Sequence, residues 1–188
     1  MNFTKSIVAA TLCLSMIVAP QQGEAATPVR DGFTLELGLG IAYSHMAFDG
    51  GSSLNEVGNS TITLSMGWFL TNDFALMVHT AGAAAYPEFM DERVLITNQF
   101  LGVVGQYWLN DRIYLSGGLG AAMWGVSFQD GSGTGTSPDW GFALSARAGY
   151  SFANWENHSL RVAVEMIPEF FDSRTVVATA LNLEWQWF

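Results

Sequence analysis

Seven residues carry the strongest chemical signal in this sequence: Glu36, His79, Arg147, Arg161, Glu165, Glu169 and Glu184. Each falls on the small or polar side of a stretch in which large apolar residues alternate with small or polar ones, so all seven share the polar faces of extended segments. Two guanidinium groups among four carboxylates suit ion pairs in a confined space. Such pairs add little net stability, yet removing one partner strands the other. If the pairs exchange partners, the same residues gate a narrow aqueous path. His79 fits as an interior hydrogen-bonding residue of this set.

Nucleophilic chemistry has fewer candidates. The histidines are His45, His79 and His158, and two of them adjoin a serine, in Ser44-His45 and His158-Ser159. Neighbours in a strand point to opposite faces, so Ser44 and His45 do not form a nucleophile and base. Gly38-Leu39-Gly40 and Gly117-Gly118-Leu119-Gly120 lie within strands and lack the rest of a phosphate-binding fingerprint. Acidic residues collect between strands, at Asp49, Glu56, Glu88, Asp91, Glu92, Asp130 and Asp139. Carboxylate oxygens suit a hard divalent cation, but the spacing matches no calcium loop, so they read as a solvated surface. No cofactor and no metal site is expected.

The elements that position these groups are strands of period two. Alternation runs through Phe33 to Met46, Ser60 to Leu70, Phe74 to Ala84, Val94 to Leu109, Ile113 to Phe128, Trp140 to Phe152, Leu160 to Phe170 and Thr175 to Phe188. In the fourth of these, Leu101, Val103, Tyr107 and Leu109 compete in parity with Phe100, Val104 and Trp108, which a β-bulge would reconcile. Polar stretches from Phe48 to Asn59, Ala85 to Arg93 and Gln129 to Asp139 read as long loops, and short turns follow Leu70, Leu109 and Phe152.

The chain of 188 residues fits one domain. Residues 1–25 read as a signal peptide: Lys5 precedes the apolar run Ile7 to Val18, and Gly23-Glu24-Ala25 offers a small-x-small cleavage site. Residues 26–188 then form the folded domain. The single cysteine, Cys13, lies in the signal after Leu12, so neither a lipid anchor nor a disulfide is expected. No stretch after the signal reaches the roughly 18 apolar residues of a membrane helix. A formal charge of −10 excludes a nucleic-acid partner, which requires a basic surface.

Large apolar residues occupy one face of every strand, and the opposite face is too small and too charged for a dry core. A soluble barrel would invert these faces, so lipid is the better solvent for the apolar one. Aromatic residues gather at strand ends: Trp68, Phe74, Tyr107, Trp108, Tyr150, Trp185, Trp187 and the terminal Phe188 at one interface, and Tyr43, Tyr86, Trp140 and Phe170 at the other.

With FTLELGLGIAYS, RIYLSGGLGAAM, GFALSARAGYSF and the terminal LNLEWQWF, the chain resembles the small outer-membrane barrels that include the OmpA transmembrane domain and OmpX. The resemblance implies an all-β, eight-stranded antiparallel up-and-down transmembrane β-barrel in the cell outer membrane. The partners it implies are outer-membrane lipids, lipopolysaccharide and, through the last strand, the assembly machinery. Phe188 departs from the usual end signal, because it is out of step with Trp185 and Trp187. A structural or surface-interaction role as a monomer is expected, with a narrow gated pore as the alternative. Lipid A-modifying enzymes also occur among such barrels, but His158-Ser159 would lie at the periplasmic turn, away from outer-leaflet lipid, and lacks a His-x-Ser spacing. No enzymatic role is expected.

Overall fold

The computed structural model describes residues 28–86, 88–89, 92–128 and 138–188; the expected signal peptide and most of the Gln129 to Asp139 loop lie outside them. The strands are β1 (Gly32–Phe48), β2 (Ser53–Ser60), β3 (Thr63–Thr71), β4 (Phe74–Ala85), β5 (Glu88–Phe89), β6 (Glu92–Trp108), β7 (Ile113–Phe128), β8 (Asp139–Asn154), β9 (His158–Phe171) and β10 (Arg174–Trp187). Eight of them close a ring in the order β1, β3, β4, β6, β7, β8, β9, β10. The last strand returns to the first, from Leu35 opposite Trp187 to Phe48 opposite Arg174. Every neighbouring pair is antiparallel. Closure leaves no unpaired edge in the ring, a condition for crossing lipid with strands.

The expected faces hold around the ring. Leu39, Ile41, Leu70, Leu101, Leu119 and Val164 are exposed, while Thr34, Glu36, Ser65 and Gln186 are buried. From Phe33 to Tyr43, β1 climbs about 25 Å if each residue adds about 3.3 Å along a strand tilted about 40°, which matches the apolar band of an outer-membrane barrel.

Two expectations are corrected. The stretch Phe48 to Asn59 is not a loop. β2 pairs with β1 from Ala47 opposite Ser53 to Ile41 opposite Asn59, around a turn at Gly51, whose φ is +81°. Its inner end, with Asn59 opposite Ile41 and Val57 opposite Tyr43, reaches the upper edge of the apolar band, and its turn stands beyond it; with every residue exposed or only half-buried, the strand needs few apolar residues and the composition conceals it. Nor does β6 contain a bulge. Its register with β4 and β7 is continuous, with Phe100, Val104 and Trp108 buried and Leu101, Val103 and Tyr107 exposed. The parity looked ambiguous because this barrel packs large aromatic side chains inside. Register shifts occur instead near strand ends, between Phe69 and Thr71 and between Ser151 and Ala153.

The short turns are fixed locally. Thr71 Oγ1 accepts from the Phe74 amide at 3.1 Å, and Asn110 Oδ1 accepts from the Arg112 and Ile113 amides at 2.8 and 2.9 Å.

Candidate functional site: the lumen

Strand register places the interior charges on one level. Glu36 of β1 stands opposite Ser65 of β3, which stands opposite His79 of β4. On the other side Glu184 of β10 faces Arg161 of β9, and Arg147 of β8 faces Glu165 of β9. Six of the seven sequence candidates meet in one network. Arg147 and Arg161 each bond Glu36, and each also lies 3.1 Å from an oxygen of Glu184. Neither these arginines nor these glutamates expose any side-chain surface.

The network extends through residues that charge patterning could not single out. The Tyr114 hydroxyl donates to Glu184 at 2.5 Å, and the Arg161 guanidinium lies 4.3 Å from the centre of the Tyr114 ring. That ring occupies the place of a missing side chain: a Cβ on Gly149 would sit 2.1 Å from it. Arg161 also bonds Gln186, whose amide donates to Thr34 at 3.0 Å, and Thr34 donates to the Trp187 carbonyl at 2.6 Å. The Gln106 amide oxygen, in the orientation that satisfies its neighbours, accepts from Arg161 and the Trp108 indole at 3.1 and 2.9 Å. Strand parity already put Tyr114, Gln186 and Thr34 inside; their partners could not be read from it.

Hydrogen-bond complementarity fixes the proton count at His79. Ser65 spends its one proton on Glu36, at 2.9 Å, so it can only accept from His79 Nδ1, at 2.8 Å. Nδ1 therefore carries a hydrogen, and Nε2 faces Glu165 Oε1 at 2.8 Å. A bare Nε2 against a bare carboxylate would set lone pair against lone pair, so one further proton lies between them. Imidazolium with carboxylate, or imidazole with carboxylic acid, leaves the pair neutral. Arg147 and Arg161 balance Glu36 and Glu184. The six-residue network thus carries no net charge.

Glu169 stands apart. It is fully buried, Asn98 Nδ2 donates to it at 3.4 Å, and its second oxygen has no partner.

Ser65, His79 and Glu165 have the connectivity of a nucleophile, base and acid, but not the chemistry. The serine proton points to Glu36, and all three side chains are buried where no substrate reaches. Ser44 is buried while His45 faces outward and donates through Nδ1 to Asn55 Oδ1 at 2.7 Å. Ser159 is buried, whereas the His158 ring stacks outside between Trp155 and Trp185, at 4.6 and 5.2 Å.

Both mouths are covered by an arginine laid on aromatic rings. At the end with short turns, Arg30 lies 3.9 Å from the Trp108 ring and 5.7 Å from Phe188, and reaches Asp111 at 3.5 Å. At the opposite end, Arg174 lies 3.9 Å from Trp124 and 4.9 Å from Phe171, and pairs with Asp139.

This arrangement corrects the aromatic girdle. Trp68, Tyr107, Tyr150, Trp185 and Trp187 are exposed on the outer face, and Phe74 is half-buried there. Trp108 is buried inside, and Phe188 packs on Phe69 and Trp108 at 6.0 and 6.3 Å. Parity is the reason: Trp108 follows outward Tyr107, and Phe188 follows outward Trp187.

No protein-family model matches the chain, and no curated protein does. Solved structures do. The attachment invasion locus protein Ail of Yersinia pestis, solved with the heparin analogue sucrose octasulfate, is 18% identical, with a TM-score of 0.57 over 83% of this chain and 99% of its own. Neisserial surface protein A is 13% identical, with a TM-score of 0.56 over 83% of this chain and 96% of its own. The fold is therefore that of the small outer-membrane β-barrels.

Proposed function

We propose that this chain is an integral outer-membrane barrel, closed to solutes, that serves the envelope as a structural and surface-interaction protein. One observation carries the reading: Arg147 and Arg161 are each held by both Glu36 and Glu184 in a lumen that leaves these side chains unexposed. Eight strands enclose little more than the side chains that fill them. A filled lumen leaves the outer end as the part with work to do, and there the turn of the β1–β2 hairpin stands clear of the lipid band.

The ligand class differs from the one seen with Ail. In sequence, the segments that connect strands at this end carry Asp49, Glu56, Glu88, Asp91, Glu92, Asp130 and Asp139 but only Arg93 and Arg174 as basic residues, so a sulfated sugar would meet like charge. A neutral or cationic partner suits this end better. Lipopolysaccharide and the assembly machinery are the envelope partners of this reading, and the protein acts as a monomer without enzymatic activity.

A narrow gated pore is the second reading. It is favoured by the sharing of Glu36 and Glu184 between both arginines, which lets a pair exchange partners without stranding a charge. Conductance of the refolded protein in planar bilayers separates the two. A silent bilayer supports the closed barrel; discrete openings altered in Arg147→Ala would replace it with the pore.

A further inference from the structure

Above the ionic network the lumen changes character. Ala42, Ala81, Ala178 and Ala180 line a cavity that also meets Thr63, Glu165 and Asn182 and leaves about 10 Å³ open to the centre of a water molecule. Four polar atoms of its wall have no hydrogen-bond partner: Thr63 Oγ1, Glu165 Oε2, and both Oδ1 and Nδ2 of Asn182. The three residues are 0–1% exposed. Unpartnered buried polar atoms are costly, so four of them around a space of one-molecule size call for a partner within it.

We propose that this cavity is a binding site for a single internal water held by Glu165, Asn182 and Thr63. The donor and acceptor balance selects the ligand. Glu165 Oε2 in its carboxylate form and Asn182 Oδ1 can only accept, Asn182 Nδ2 can only donate, and the Thr63 hydroxyl does either. A water donates to the carboxylate, accepts from the amide and bonds the hydroxyl. A bare sodium ion would satisfy oxygens but leave Nδ2 facing a cation, and three side-chain oxygens fall short of its coordination. Glu165 would then be held on one oxygen by His79 and Ser145 and on the other by the water, which fixes the carboxylate at the border between the charged and the alanine-lined parts of the lumen.

The test uses the refolded full barrel in micelles. Water-to-protein cross-relaxation should reach the methyl groups of Thr63, Ala81 and Ala178 in the wild-type protein. Ala178→Val, which fills the cavity, should abolish that contact and lower the urea midpoint. A dry void predicts the reverse: no water contact and an unchanged or raised midpoint. A midpoint in sodium chloride above that in choline chloride at equal ionic strength, lost in Asn182→Leu, would replace the water by a cation. Should Ala178→Val fail to fold, the wild-type water contact and its loss in Thr63→Val decide the question.

Discussion

Arg147 stands directly opposite Glu165 in the β8–β9 register, yet its guanidinium bonds Glu36 on the far side of the lumen. Its cross-strand neighbour is instead satisfied by His79 and Ser145, at 2.8 Å each. The ion pairs therefore cross the barrel and tie β1 to β8, strands that do not touch in the sheet.

Glu36→Gln removes the carboxylate shared by both arginines and leaves two guanidinium groups to Glu184. Breaking a buried pair in this way costs about 3–5 kcal/mol. The urea midpoint in micelles should fall accordingly. Glu36→Gln with Arg147→Met should recover part of the loss, because one uncompensated charge is removed with its partner. Equal midpoints for the two variants would mean that the crossing pair does not hold the barrel.

The proton count at His79 is open to nitrogen NMR of the selectively labelled ring. Nδ1 should be protonated, since Ser65 offers it only a lone pair. Glu165→Gln should keep that tautomer, because the amide can donate to Nε2. An imidazole protonated at Nε2 with Nδ1 bare would reverse the Ser65 hydrogen bond and undo the neutral-network argument.

The height of the lipid band can be mapped with two lysines on exposed sites. Leu39 is 66% and Val57 75% exposed. Leu39 lies midway between Phe33 and Tyr43, so Leu39→Lys should cost about 2–4 kcal/mol in bilayers. Val57, opposite Tyr43 at the upper edge of the band, should accept lysine at a cost of only about 0–1 kcal/mol. Matching losses measured by unfolding from vesicles would move the membrane boundary.

Period two was enough to read most of this fold, because lipid outside and a polar lumen inside give each face its own composition. It was enough for the charged site too: Glu36, Arg147, Arg161 and Glu184 declared themselves as charges on faces of small residues. Where the environment on the two faces is alike, the signal fades. β2 has one exposed and one half-buried face and neither is apolar, so it read as a loop. β6 is apolar on both sides near Phe100 and Trp108 and read as irregular. Arg30 and Arg174 stayed hidden for another reason. Arg30 precedes β1 and Arg174 opens β10, and each has an aromatic partner, Trp108 or Trp124, from a strand that is not its neighbour in the ring.

The seal formed by Arg30, Trp108 and Phe188 draws on the segment before β1, the middle of the chain and the residue after β10. The contacts of Phe188 with Arg30 and Trp108 rest on β10 lying beside β1 in the closed ring. Tightness at this mouth is thus a property of the closed ring as a whole, and no single strand carries it.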